Sequence, residues 1–172
     1  MTSSEVPVVL GIDPGLRVCG WGIVRGGQRA GYIACGAIKP NPKAPMTTRL
    51  LTLYDGIRDI ILTHQPDEMA IEDPFVGAIQ PASALAIGQA RAAAVLAAAT
   101  NGIEVEFYAP AAVKAAVSGY GAGDKRQVQS MVRMLLGLDT PPEPVDAADA
   151  IAVAICHLGL RRARALERAT KR

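Results

Sequence analysis

Residues 8–15 read VVLGIDPG, an apolar run that ends in an aspartate and a Pro-Gly turn. The apolar residues at 8–12 predict a strand, and the turn allows the backbone to reverse sharply. Residues 19–24 are then predicted to form the returning strand of a hairpin. The fold therefore opens with two antiparallel strands, and Asp13 stands at the end of the first one.

The rest of the chain alternates between strand and helix patterns. A third antiparallel strand is predicted at 29–38, followed by a helix that Thr47 or Thr48 caps. Later strands are predicted at 68–72 and 103–108, and helices at 82–99, at 110–117, after Asp124 and from about Asp146. This order predicts an α/β fold with a mixed five-stranded sheet, three antiparallel hairpin strands and two parallel strands, flanked by helices.

The length of the chain and its charge distribution limit the number of domains and the place of a phosphate-binding surface. The chain has 172 residues, which suits one domain that spans residues 1–172. Its formal net charge is only +2, yet residues 161–172, the basic C-terminal tail, carry six basic residues against Glu167. The tail is either a phosphate-binding patch, which would need to lie beside an acidic pocket, or a solvated helix end that is frayed or disordered.

The apolar stretches and the cysteines indicate in which cell compartment the protein is expected. The longest apolar stretches, 82–99 and 147–160, are interrupted by polar residues, so no membrane span of about 20 residues is expected. The N-terminus lacks the basic start and apolar run of a secretory signal. Cys19, Cys35 and Cys156 form an odd set without metal-ligand pairing, so we expect reduced, buried thiols and a cytoplasmic protein.

Four acidic residues carry the predicted chemistry. Asp13 and Glu72 each end an apolar strand, so their carboxylates lie side by side if those strands are neighbours. Asp146 and Asp149 are three residues apart, on one face of a helix. Clustered carboxylates favour Mg²⁺ or Mn²⁺, and two ions about 3.5 to 4 Å apart can promote phosphodiester hydrolysis. Singly, each acid has an alternative as a turn residue, strand end, helix cap or exposed charge.

Five segments of the sequence match one family in chain order. They are DPGLRVCGWG at 13–22, IEDPF at 71–75, SAL at 83–85 with GQAR at 88–91, KRQV at 125–128 and DAADA at 146–150. Together they resemble the RuvC family of bacterial Holliday-junction resolvases. A single Asp-Pro-Gly turn is a weak signal, because several ribonuclease-H-like and actin-like proteins have one. The resemblance extends from residue 8 to about residue 157.

This resemblance implies a ribonuclease-H-like fold and a homodimer that resolves four-way DNA junctions in recombination and DNA repair. Paired symmetric nicks would leave 5′-phosphate and 3′-hydroxyl ends. Asp13, Glu72, Asp146 and Asp149 would be the catalytic residues and would bind two Mg²⁺ or Mn²⁺ ions per active site. The RuvA and RuvB branch-migration complex is an implied partner that the residues alone do not indicate.

The resemblance also assigns contacts to DNA. Phe75 would stack on a base opened at the junction, and Lys114 and Lys125 would reach the scissile region. The alternatives are a core position for Phe75 and ordinary solvated charges for the lysines. Weaker candidates for contacts to the DNA backbone are Arg126, Gln89 and Arg91.

Residues 76–82, VGAIQPA, depart from the basic or asparagine-containing loop that the family often carries. Their contacts with DNA are therefore not implied by the resemblance. Two other functions stay open: a YqgF-like nuclease acting on RNA, and a nucleotide-binding module of actin-like type. The first is not expected to combine Phe75 with Lys114 and Lys125, and 172 residues leave no room for the two-lobed cleft of the second.

Overall fold

The computed structural model describes residues 6–73, 80–118 and 125–170. Five strands form one sheet: β1 (Val8–Asp13), β2 (Cys19–Arg25), β3 (Gly31–Ile38), β4 (Glu68–Glu72) and β5 (Glu104–Tyr108). Their order across the sheet is β3-β2-β1-β4-β5. The pairs β1–β2 and β2–β3 are antiparallel, whereas β1–β4 and β4–β5 are parallel. The predicted mixed sheet is confirmed.

Helices cover both faces of this sheet. The described residues include α1 (Met46–His64), α2 (Pro81–Thr100), α3 (Pro110–Ser118), α4 (Lys125–Leu136) and α5 (Val145–Thr170). On the first face, Leu53 of α1 and Ala94 of α2 share a buried cluster with Ile12 of β1. On the second face, Ile151 of α5 shares a buried cluster with Val9 of β1, together with residues of α3 and α4. Side chains of β1 therefore alternate between two separate hydrophobic cores, one on each face of the sheet.

Helix α1 begins earlier than the sequence predicts. Pro45 occupies its N-cap position with a φ of −53° and makes no side-chain capping bond. The carbonyl oxygen of Pro45 accepts the amide of Arg49 at 3.1 Å. The prediction of a Thr47 or Thr48 cap is wrong, because the proline ring already holds the backbone in an orientation from which the helix can start. Both threonines consequently lie inside the first turn.

Helix α5 lies directly on the backbone of β1 and β2. A Cβ atom on Gly11 would overlap the carbonyl oxygen of Ala150, and one on Gly20 would overlap the carbonyl oxygen of Asp146. A Cβ atom on Gly22 would stand 3.0 Å from the amide nitrogen of Ile151. These three glycines form the glycine seam, and they allow the helix to approach closer than any side chain would permit.

Helix α2 has an unusually apolar composition. Among the described helices, it alone is long and apolar enough to pass as a membrane span, with a mean hydropathy of 1.4 over 18 residues. Core helices of soluble proteins often meet the same criterion. Ala90, Ala94 and Ala97 are buried in the cluster with α1 and the sheet, and Arg91 forms an ion pair with Asp73. One face of α2 therefore packs into the protein core, and 28% of the apolar window is buried.

The basic C-terminal tail is helical as far as the structure describes it, because α5 continues to Thr170. Arg161 binds Glu68 at 3.0 Å, and Arg164 binds Glu106 at 2.9 Å. Glu68 begins β4, at the opposite end of the strand from Glu72. With a rise of 1.5 Å per residue, Arg162 lies about 20 Å along α5 from Asp149. The described arginines of the tail are therefore not beside the predicted acidic pocket.

The glycine seam makes a direct prediction for stability. We expect Gly11→Ala to lower the free energy of unfolding by about 1 to 3 kcal/mol, because the added methyl group overpacks against the α5 backbone. The control is Gly159→Ala, where no described atom beyond the adjoining backbone of α5 lies within 4 Å of the added Cβ. There, alanine should stabilise the helix by about 0.5 to 1 kcal/mol. Urea unfolding measures both free-energy changes. Equal changes at the two sites would contradict the close contact between α5 and the backbone of β1.

Candidate active site

Asp13 and Glu72 end neighbouring parallel strands. Ile12 stands opposite Ile71 in the β1–β4 register, so the next residue of each strand, Asp13 and Glu72, stand side by side. Strands in a sheet are about 4.8 Å apart. Ile12 and Ile71 point into the core that contains α1 and α2. Because side chains alternate between faces, both acids point to the other face, which α5 covers.

Helix α5 brings further acids to this end of the sheet. Asp13 is paired with Gly20 of β2, and the carbonyl oxygen of Asp146 lies against Gly20. The first turn of α5 consequently lies over the ends of β1 and β2. Asp149 follows one turn later and precedes Ala150, which contacts the glycine seam. All four predicted acids are half-buried.

A pocket of about 240 Å³ lies between these elements. Its polar lining comes from Asp13, Glu72, Asp149 and Lys114. Its apolar lining comes from Pro110, Val113, Val128 and Ala152. Lys114 belongs to α3, which begins two residues after β5 ends, and its side chain is half-buried. The structure thus brings three of the four predicted acids and one predicted lysine to a single pocket, whereas Asp146 lies outside the lining, towards β2.

The donors of this pocket suit a hard divalent cation in chemical type, since carboxylate oxygens are the ligands that Mg²⁺ and Mn²⁺ prefer. Within the described ranges, no three Asp, Glu, His or Cys side chains are close enough together to form a ready metal site. Asp13, Glu72 and Asp149 each make other interactions within the protein. Like charges repel unless a cation neutralises them. The residues therefore fit a metal, provided that their side chains turn towards one another when it binds.

The thiol of Cys19 is influenced by the charges of both Asp13 and Asp146. Burial raises the pKa of its thiol to about 12, and the carboxylates of Asp13 and Asp146 add to this rise. Both acids are therefore near enough to act on the same sulfur atom through their charges. Because the thiol stays protonated at neutral pH, Cys19 contributes no negative charge to a site that already holds several carboxylates.

The predicted DNA-binding residues are distributed more widely. Phe75 lies outside the described residues, and Lys125 begins α4, although its side chain is not described. Arg126 is exposed in the first turn of α4. Gln89 and Arg91 are half-buried on α2, on the face of the sheet opposite to the acidic pocket. The structure therefore brings Lys114 to the acids but places Gln89 and Arg91 elsewhere.

A polar network that the sequence did not predict lies outside the lining of the pocket. His157 is only 2% exposed, as expected of a core residue, and its ring nitrogens lie 2.9 Å from the Tyr108 hydroxyl and 2.5 Å from Glu68. The Tyr108 hydroxyl also donates to Glu106 at 2.7 Å. That bond, followed by the bond from Arg164, lowers the pKa of Glu106. The network joins β4 and β5 to α5, and no sequence spacing signals the pairs between these elements.

The fold has a close counterpart among solved structures. A structure of T. thermophilus RuvC in complex with a Holliday junction substrate matches with a TM-score of 0.83 and 33% sequence identity. The match covers 91% of this chain and 95% of that one. Together with the mixed sheet and the acids at the strand ends, it defines the class: an α/β protein of the ribonuclease-H-like fold.

Sequence comparisons give the family. The family model for crossover junction endodeoxyribonuclease RuvC matches residues 9–157. The RuvC of Chloroflexus aggregans is 52% identical over 86% of this chain and 90% of its own length. The RuvC of Azorhizobium caulinodans is 45% identical over 98% of this chain and 99% of its own. The chain belongs to the RuvC family of crossover junction endodeoxyribonucleases, which confirms the resemblance seen in the sequence.

Membership has two direct consequences. The chain is an endonuclease, a hydrolase that acts on DNA. Dependence on a divalent metal is general in the family, which agrees with the carboxylate donors of the pocket.

The three cysteines should differ in reactivity. Cys19 and Cys156 are buried, and burial raises their pKa values to about 12 and about 11, whereas Cys35 is half-buried beside the Tyr32 hydroxyl. We expect a thiol-disulfide reagent at pH 8 to modify Cys35 first in the native protein, and the other two after denaturation, because thiolates react and buried thiols do not ionise. Cys35→Ser should remove the fast phase. A fast phase that survives this change would contradict the burial of Cys19 and Cys156.

Proposed function

We propose that this protein resolves four-way DNA junctions by paired, symmetric nicks, in recombination and DNA repair. The observation that carries the proposal is the pair of neighbouring strand ends that points Asp13 and Glu72 to one face, into a pocket with Asp149 and Lys114. The family to which the chain belongs supplies the reaction, and the T. thermophilus relative is described as a complex with a Holliday junction substrate.

The acids are proposed to hold two divalent ions, Mg²⁺ or Mn²⁺. Asp13, Glu72 and Asp149 supply oxygen donors from three different elements around one pocket. Asp146 would join them from the preceding turn of α5, where its charge already acts on the same thiol as that of Asp13. When bound, the ions would stabilise negative charge on the attacking and leaving oxygens of the phosphodiester.

Basic groups would hold the scissile phosphate. Lys114 lines the pocket, so its ammonium group would neutralise charge that develops on the phosphate oxygens. Lys125 begins α4, and the N-terminus of a helix favours an anion. Hydrolysis that expels the 3′ oxygen would leave 5′-phosphate and 3′-hydroxyl ends. Phe75 is proposed to stack on an opened base, which the family resemblance supports.

Two copies of the chain are proposed to act together. A four-way junction is nearly two-fold symmetric, and paired nicks need paired active sites. Helix α2 offers a surface for this contact, because Leu85 and Leu96 are 65% and 58% exposed on a helix rich in alanine. The RuvA and RuvB branch-migration complex is the proposed partner, and the cytoplasm the proposed location, both on the strength of the family.

The decisive experiment is a cleavage assay on a mobile synthetic four-way junction, with and without Mg²⁺ or Mn²⁺. We expect metal-dependent nicks that map to symmetric positions on two strands of like polarity. Single-stranded RNA and linear duplex DNA serve as comparison substrates. Preferential cleavage of RNA would favour the other nuclease considered from the sequence and would overturn the proposal.

Removal of one carboxylate should separate catalysis from binding. We expect Asp13→Asn to lower the single-turnover cleavage rate at least about a hundredfold, the size of effect that a preorganised electrostatic group provides. Junction affinity in a gel-shift assay should change little, because the basic surfaces are untouched. Asp55→Asn, on the exposed face of α1, should cleave like the wild type. Turnover of Asp13→Asn at the wild-type rate would refute the assignment.

Lys125 should contribute to binding through a phosphate contact. We expect Lys125→Ala to weaken junction binding and to reduce the slope of log K against log salt by about 1, because one phosphate contact fewer releases fewer counterions. Lys43→Ala, in an exposed loop before α1, is the control and should leave the slope unchanged. If both variants have the wild-type slope, Lys125 is an ordinary solvated charge.

A further inference from the structure

Arg91 lies where it can act on the active site without touching it. It belongs to α2, on the face of the sheet opposite to the acidic pocket, and its guanidinium group forms an ion pair with Asp73. Asp73 directly follows Glu72, the last residue of β4. Neighbouring residues of an extended chain point to opposite faces, so Asp73 faces α2 while Glu72 lines the acidic pocket, and a single peptide unit joins them.

Asp73 is held from two directions. Its backbone amide donates to the carbonyl oxygen of Tyr108 at 2.8 Å, which continues the β4–β5 pairing by one step. Its carboxylate accepts from Arg91. The amide bond fixes the position of the chain beside β5, and the carboxylate contact fixes the rotation of this residue about the strand axis. Together they restrain the residue that directly follows Glu72.

The guanidinium group of Arg91 is itself oriented by an aromatic ring. It lies 5.6 Å from the centre of the Phe107 ring, and Phe107 precedes Tyr108 at the end of β5. A guanidinium group within about 6 Å of an aromatic ring centre is attracted to the ring face, and its planar shape loses less freedom on binding a carboxylate than a flexible amine does. Arg91 therefore connects α2 to the ends of both β4 and β5.

The exposure of this contact argues that stability is not its main role. The side chains of Arg91 and Asp73 are 37% and 40% exposed. Ion pairs with this much solvent access contribute little to the free energy of unfolding. Its position one residue from a proposed metal ligand is the feature that an ordinary surface pair would not have.

We infer that Arg91 is a positioning residue for catalysis: through Asp73 it sets the orientation of Glu72 in the acidic pocket. This inference rests on the proposed function of that pocket. It differs from the role suggested by the sequence, in which Arg91 contacts the DNA backbone. The two roles predict different effects for Asp73→Asn: slower cleavage with unchanged binding in the first, and stronger binding in the second.

A positioning role predicts the same defect from either side of the ion pair. Arg91→Gln and Asp73→Asn should each lower the single-turnover cleavage rate about tenfold, since small misplacements of a catalytic group have effects of this order or larger. The double variant should be no slower than the slower single variant, because the contact can be lost only once. Junction affinity and its salt dependence should stay at the wild-type values.

A DNA contact predicts a different pattern. Arg91→Gln would weaken junction binding and reduce the salt slope by about 1, whereas Asp73→Asn would strengthen binding by removing a negative charge beside the arginine. Wild-type cleavage rates in both variants, or this binding pattern, would overturn the inference.

The chain offers a matched control in Arg58. It binds Asp55 at 3.0 Å with both side chains 40% exposed, and it lies 6.0 Å from the centre of the Tyr54 ring. Arg58→Gln thus removes the same kind of contact at a site on α1 that is remote from Glu72. It should cleave and bind like the wild type, and a tenfold loss in this variant would reduce the Arg91 result to a general effect and overturn the inference.

A second readout needs neither DNA nor cleavage. Mn²⁺ binding to the free protein, measured by electron paramagnetic resonance, should weaken severalfold in Arg91→Gln and Asp73→Asn but not in Arg58→Gln. If the wild-type protein fails to cleave a junction while this pattern holds, the proposed function is wrong, but the orientation of Glu72 by Arg91 and Asp73 for metal binding stands. If Mn²⁺ affinity and cleavage are both unchanged by the two substitutions, the positioning role is wrong.

Discussion

The contact between helix α5 and the backbone of β1 and β2 is the constraint on which the site depends. Gly11, Gly20 and Gly22 leave room for the helix to lie against the strands themselves, with Ala150 and Asp146 in direct contact. A helix held at backbone distance cannot slide or rotate without steric overlap. The acids at its first two turns are therefore placed relative to the strand ends by main-chain geometry, before any polar interaction is considered.

The register of the parallel strands supplies the other half of the arrangement. Once Ile12 stands opposite Ile71, strand periodicity puts Asp13 and Glu72 on the same face. A shift by one residue would turn one of these acids into the apolar core. Burial of the two isoleucines thus keeps the two carboxylates next to each other. The favourable free energy of that burial offsets the repulsion between the like charges.

Local pattern explains what could be predicted from the sequence. The strands that end in Asp13 and Glu72, and the pair of acids on α5, follow from periodicity, and the motifs in register identified the family. The α1 start was missed because Pro45 replaced a side-chain cap with backbone geometry. The pairs Arg91–Asp73 and His157–Glu68 join residues far apart in the chain, so only the folded sheet brings them together.

The glycine seam also limits how this protein can change. Most packing contacts join flexible side chains, so a substitution on one side can be accommodated by a second substitution on the other. Here the opposing surface is main chain, which no replacement can shorten, and a hydrogen atom is the largest substituent that fits at Gly11 or Gly20. Any larger residue at these two strand positions therefore requires α5 to move, and Asp146 and Asp149 would move with it.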